Sequence, residues 1–268
     1  MRNPALPLAV LAAALLLGGC ASKSSTSSTQ AQPQPQPEPV KAQEATPLQR
    51  ATIKTDLAAG YYERGQFETA LEVLDEAQKI DANYARTYDI YGLTYTMLGE
   101  REKAESNFRR AIALAPNDPS IRANWGAFLC TTGRERESIP EFEQAVRDPL
   151  FRSPEIAYIN AGKCTAALGD MKKADEYFRR ALTASPGNAT ASYQLALLSY
   201  KEGRLSDARA WIRPLMQQGT ARPEALYLGL CVERKLGDRQ AELSYASQLK
   251  NRYPDSAETR QVATGTCE

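Results

Sequence analysis

Six glycines set the frame of this chain. Gly65, Gly99, Gly133, Gly169, Gly203 and Gly237 recur at intervals of 34, 34, 36, 34 and 34 residues. Each stands between two runs in which apolar residues return every three or four positions, the spacing that lays one apolar stripe along a helix. A fixed period of this length marks a supersecondary unit that buries its apolar face only by stacking on copies of itself. Helix, tight turn and second helix fit within one period. The chain is therefore expected to fold as a stack of helical hairpins, each touching only its neighbours.

Within each period the same residue types return where packing needs them. The second repeat carries Tyr88, Tyr91, Gly92 and Tyr95 on its first helix, Ala104, Phe108 and Ala111 on its second, then Pro116. Gly92 and Ala104 lack bulk, so the two helices can close on each other while aromatics fill the wedge between hairpins. Pro116 has no amide proton to offer and ends the second helix. Corresponding sets are Leu57, Ala58, Tyr61, Ala70, Leu74 and Ala77 in the first repeat, and Trp125, Gly126, Leu129, Phe142 and Ala145 in the third. The fourth has Tyr158, Gly162, Ala174, Phe178, Ala181 and Pro186; the fifth has Leu195, Ala196, Ala208 and Ile212. Leu226, Ala246 and Pro254 keep the more worn sixth repeat in register. This is the tetratricopeptide pattern. The expected fold class is all-α: a tetratricopeptide solenoid of six hairpins over residues 48–256, with residues 257–268 as a capping helix on the last apolar face. The two extra residues of the longer interval fall in Asp148-Pro149-Leu150-Phe151-Arg152-Ser153-Pro154, which reads either as a spacer or as a contact loop.

The first fifty residues differ in kind. Arg2 precedes an apolar run from Ala5 to Leu17 that is too short to span a bilayer, and it ends in Leu17-Gly18-Gly19-Cys20. This resembles a bacterial lipobox, with residues 1–19 as a lipoprotein signal peptide and Cys20 as the lipidated first residue. A cleaved secretory signal with an incidental Cys20 is the alternative. Ala21 follows, not Asp, which in this class points to the outer membrane; acyl chains on Cys20 would hold the protein there, facing the periplasm. Residues 20–47 then form a Ser-, Gln- and Pro-rich tether with Pro33, Pro35, Pro37 and Pro39 alternating. Such a segment cannot bury enough apolar area to offset its ordering entropy.

Composition narrows the chemistry. The chain has no His, which removes the commonest general base and metal ligand and with them Ser-His and Cys-His nucleophile pairs. Neither GxSxG nor GxxxxGK[ST] occurs, so no catalytic residue, cofactor, metal or small-molecule substrate is expected. Lys+Arg 33 against Asp+Glu 32 gives no basic field for nucleic acid. A protein-binding scaffold remains.

Beyond Cys20 the chain has Cys130, Cys164, Cys231 and Cys267. In an oxidising compartment an even number suggests disulfides. Cys130 and Cys164 both sit late in the first helices of neighbouring hairpins, and Cys231 stands in the same relation to Cys267 in the cap. First helices of adjacent hairpins run side by side, so these two pairings are expected, while crossed ones would have to span several repeats. Buried free thiols are the alternative.

Several stretches resemble one family more closely than generic repeats do. These are Asn124-Trp125-Gly126-Ala127-Phe128-Leu129-Cys130, Asp148-Pro149-Leu150-Phe151, Asn160-Ala161-Gly162-Lys163-Cys164, Leu228-Gly229-Leu230, and the run from Ser244 to Pro254. Together with the lipobox and six repeats they are similar to the type IV pilus biogenesis and stability lipoproteins, the pilotins of the PilF and PilW kind. The resemblance implies an outer-membrane lipoprotein that helps the pilus secretin reach or assemble in that membrane, and it places the family's Cys pair on Cys130 and Cys164. A tetratricopeptide adaptor for periplasmic peptidoglycan hydrolases or proteases is the competing reading.

The partner surface is expected on the concave face, formed by first-helix residues outside the seam between helices. They are Thr55, Tyr62, Leu93, Met97, Ile156, Ile159, Tyr193, Leu197, Tyr200, Tyr227 and Arg234. Aromatics, Met and Arg are enriched at interface cores. An apolar groove of this kind suits an amphipathic helix or an extended segment of a partner, although any one of these side chains could equally be core.

Overall fold

A computed structural model describes residues 45–217, 221–265 and 267; Cys20, the signal segment and most of the tether lie outside the described residues. Among the described residues all regular structure is helical. The first hairpin pairs α1 (Pro47–Glu63) with α2 (Phe67–Ile80), the second α3 (Ala85–Met97) with α4 (Arg101–Leu114), and the third α5 (Pro119–Thr131) with α6 (Glu135–Ala145). Then come α7 (Pro154–Ala167) with α8 (Met171–Ala184), α9 (Ala189–Lys201) with α10 (Leu205–Gln217), and α11 (Pro223–Leu236) with α12 (Arg239–Arg252). A last helix, α13 (Ala257–Thr264), covers the end of the stack and packs on α11 and α12.

The six glycines of the ladder sit in the turns inside the hairpins, with φ between 72° and 85°. An L side chain at such an angle is strained, so glycine at these positions is what lets each hairpin close. Proline works at the other junctions. Pro47, Pro119, Pro154 and Pro223 open first helices, where a missing amide proton costs nothing. Pro116, Pro186 and Pro254 follow second helices, as expected. Pro140 and Pro214 instead lie inside α6 and α10, on their exposed sides, where water can serve the carbonyl left without a donor.

One volume rule organises the core. The small residue of each first helix faces the residue sixteen positions later on the second. In repeats two, three, four and six that residue is glycine, and the facing residues are Phe108, Phe142, Phe178 and Tyr245. A Cβ added at Gly92 would lie 2.8 Å from the Phe108 ring, and one at Gly162 would lie 2.5 Å from the Phe178 ring. In repeats one and five the pairs are Ala58 with Leu74 and Ala196 with Ile212, all fully buried. Where the first helix gives up a methyl group, the second supplies a ring. Interior packing tolerates volume-conserving exchange far better than added bulk, so the six interfaces keep one spacing with two solutions.

Successive first helices also lean on one another: α1 on α3, α3 on α5, α5 on α7, then α9 on α11 and α11 on α13. Second helices make no comparable contact with each other, so the first helices line the inner, concave side. The lean weakens towards α7 and is all but lost between α7 and α9. Disulfides join Cys130 to Cys164 and Cys231 to Cys267, with Cα–Cα distances of 5.8 and 5.6 Å. The first ties α5 to α7, where the longer inter-repeat connection has loosened the stack; the second ties α11 to the chain just past α13. In that connection Phe151 tucks against the cluster of Phe142 and Ala157, while Leu150 is 84% exposed.

Candidate protein-binding surface

The concave residues named from sequence separate into three groups. Thr55, Ile159 and Tyr200 are corrections, because they belong to the interior. Thr55 is wholly buried and shares a 2.8 Å hydrogen bond with Thr87 across the α1–α3 seam. Ile159 packs on Ala181 and Ala191 between repeats four and five. Tyr200 is 9% exposed, lies under the Lys235 ammonium at 4.2 Å, and donates its hydroxyl to the Cys267 carbonyl at 3.1 Å. Thr55 and Tyr200 face the neighbouring first helix or the cap, and Ile159 is closed off by Ala181 of α8 and Ala191 of α9, so none of the three has the open space a ligand would need. Arg234 is a fourth correction. Its guanidinium pairs with Glu242 at 2.8 Å and donates to the Gly265 carbonyl at 2.8 Å, so it serves the cap.

The second group forms a patch on repeats one and two. Met97 is 58% exposed at the end of α3, and Leu93, one turn earlier, is half-buried against both the Tyr88 and the Phe108 clusters. Tyr62, near the end of α1, is half-buried with its ring 6.0 Å from Phe67. Beneath lies Asp89, 4% exposed, whose carboxylate among the described residues accepts from the Asn124 amide alone, at 2.9 and 3.2 Å. Burial pushes its pKa up to about 7, against the Asn124 hydrogen bond, with Asp118 adding repulsion and Arg86 opposing it. The Arg86 guanidinium is itself held by Asp56 at 3.2 Å. Asp89 also sits close enough to Tyr62 to raise that phenol's pKa, second to burial.

The third group borders the gap between α7 and α9. Tyr193 and Leu197 line two adjoining clefts of about 180 and 250 Å³ that share Lys163 and Gln194. The larger is walled by Ala166, Ala167, Met171, Leu197 and Lys201 over buried Phe178 and Leu198. Ile156, at the start of α7, is 54% exposed and joins neither. Tyr227 is half-buried against the terminal cluster. The list of first-helix positions missed Lys163 and Lys201, although the period marks them: Lys163 follows Gly162 as Leu93 follows Gly92, and Lys201 lies four residues past Leu197 as Met97 lies past Leu93. The described residues show no cluster fit to hold a metal ion, and no described helix is long and apolar enough to cross a membrane.

Comparison with known proteins bears on what such a surface serves. Tetratricopeptide repeat models match residues 85–118, 131–189 and 166–229. The solved structure of PilW, described as a widely conserved type IV pilus biogenesis factor, is 31% identical; the chain covers 99% of it, over 80% of its own length, with a TM-score of 0.74. The chain belongs to this PilW and PilF family. The solved structure of Pseudomonas aeruginosa PilF superposes with a TM-score of 0.73 at 25% identity, covering 82% of this chain and 99% of that one. In sequence, the type IV pilus assembly protein PilF of that organism is 27% identical over 205 residues, 76% of this chain and 81% of the relative. The family is thus one of tetratricopeptide proteins of pilus biogenesis.

Proposed function

We propose that this chain acts in type IV pilus biogenesis as a lipid-anchored scaffold of the outer membrane, binding the pilus secretin and promoting its localisation and multimer assembly. The observation that carries the reading is the PilW likeness, which runs across the whole of that protein at 31% identity. Support comes from the lipobox-like run ending in Cys20 and from the absence of His, which leaves binding as the chemistry on offer. In this reading Cys20 carries the acyl chains, residues 21–47 hold the solenoid away from the lipid, and Tyr62, Leu93 and Met97 receive the secretin segment. Met97 is exposed without a packing role, and a thioether adapts to varied partner shapes.

Membrane fractionation and a gel of unboiled secretin test both halves. Cys20→Ala is expected to leave the solenoid folded but unanchored, with secretin multimers depleted from the outer membrane. Met97→Asp with Leu93→Asp is expected to leave the chain anchored and helical by circular dichroism, yet to reduce multimers; anchors of this kind typically cost about 2 kcal/mol or more when truncated. Normal multimers with the soluble variant would remove the anchoring role. Normal multimers with the folded double variant would remove this patch as the site.

A further inference from the structure

We propose that the cleft between α7 and α9 is a second docking site, taking an acidic, apolar-sided segment of a partner protein. Its carboxylates would sit on Lys163 and Lys201, and its apolar side chains against Ala166, Ala167, Met171 and Leu197. The site stands apart from the repeat-one and repeat-two patch, and it holds whether or not the secretin is what binds there.

Three observations point this way. The first is the opening itself. Every other first helix leans on the next, but α7 and α9 approach mainly where Ile159 clusters with Ala191, and further along both helices the concave surface parts over buried Phe178 and Leu198. The second is charge. Lys163 and Lys201 are exposed, are the sole charged residues lining the larger cleft, and have no acidic partner among the described residues. Lys54, Lys103 and Lys173 by contrast each reach a glutamate, at 2.5, 3.3 and 3.7 Å. Two unpaired ammonium groups beside an apolar floor favour a ligand that is apolar on one side and anionic at its edge, and they penalise a basic one. The third is the wall. Ala166 and Ala167 are small, so a backbone can come close, and Met171 and Leu197 are only partly covered. The smaller cleft adds Tyr193 and Thr190, which with the shared Gln194 supply hydrogen-bonding groups beside Lys163. Glu224 and Arg222 border that end together, so its net charge is set by Lys163 as well.

The test selects 12-residue peptides from a random library on the purified full chain, then measures one selected synthetic peptide by fluorescence anisotropy. The expected result is enrichment of Asp and Glu beside Leu, Ile or Phe. Affinity should fall at least tenfold in the Lys163→Glu, Lys201→Glu double variant and several-fold between low and high salt. Leu93→Asp with Met97→Asp should bind the peptide as the unchanged chain does, which keeps this site distinct from the first patch. No enrichment, enrichment of basic peptides, or equal affinity for the charge-reversed variant would overturn the proposal. So would sedimentation showing that the chain self-associates and that the charge reversal makes it monomeric, since the cleft would then hold a second copy of this chain.

Discussion

Leu57 and Leu228 occupy the same place in their repeats, each just ahead of the small residue that admits the second helix, yet Leu57 is 43% exposed and Leu228 5%. The difference lies in what stands on either side. Leu228 of α11 is enclosed by α10 before it and by α12 and the cap after it, within the largest apolar cluster of the molecule. Leu57 of α1 lies beside Ile53, 64% exposed, and Leu48 on the same helix is 52% exposed. The two ends also treat buried acids differently. Glu233 and Glu242, near the C-terminal end, are held by Arg209 and by Arg234 with Arg239. Asp89, near the other end, has among the described residues one amide and no ion-paired cation. In a solenoid each repeat is stabilised by its neighbours, so a terminal face must be capped or used. The C-terminal end is capped. The N-terminal end keeps apolar surface and an uncompensated carboxylate next to the patch on which the proposed function rests, and local rules are commonly broken where binding needs it.

Breaking the cap should have the largest effect. Cys267→Ser opens the bond to Cys231, whose partners are 36 residues apart, and chain-entropy models give roughly 3 to 4 kcal/mol for a loop of that size. The Tyr200 hydroxyl and the Arg234 guanidinium would lose the carbonyls they reach at Cys267 and Gly265 as α13 frays. Thermal unfolding is expected to begin earlier, and limited proteolysis to cut first within residues 254–265. An unchanged melt and cutting pattern would mean that α13 holds by packing alone.

The paired leucines come next. Leu228→Ala is expected to cost about 3 kcal/mol in urea unfolding, within the usual range for a buried leucine. Leu57→Ala should cost under about 1 kcal/mol, because much of that side chain is already in water. Equal losses would show that the N-terminal face is covered in solution, and the contrast between the ends would fail.

The period, and with it the class of fold, was legible because glycine at positive φ has few substitutes, so Gly65 to Gly237 betray the turns one by one. The exchange of Ala58 and Leu74 for Gly92 and Phe108 was legible too once the repeats were aligned, since a lost methyl group must be answered across the hairpin. The binding face was legible only in part. Thr55, Ile159 and Tyr200 stand at positions that a single hairpin would leave open, and they are buried by what the following repeat or the cap brings against them (Thr87 on Thr55, Ala191 on Ile159, Cys267 and Lys235 on Tyr200), which one repeat does not encode. Lys163 and Lys201 escaped for the opposite reason. The period marks their positions, but their value comes from a gap between helices, and no residue announces the gap.

The last comparison separates the two ends by sign. In the folded chain Asp89 has its pKa raised to about 7 by burial, while in the unfolded chain it returns to 3.8. Between those values the folded state keeps a proton that the unfolded state has released. Stability from this site is therefore full below about pH 4, drains as pH rises, and is gone above about 7. Asn at this position cannot ionise and can still accept from Asn124. Asp89→Asn should thus stabilise the fold clearly at pH 8 and by little at pH 4. Glu242 gives the opposite slope. Its carboxyl is held below the usual range by hydrogen bonds from Arg234 and then Arg239, so its contribution is present above about pH 4.5 and is lost as pH falls. Glu242→Gln should destabilise at pH 7 and matter less near pH 3. Urea unfolding of both variants at four pH values checks the pair. A pH-independent gain for Asp89→Asn would mean that water or the Arg86 guanidinium already compensates the carboxylate, and the two ends would then differ in apolar cover alone.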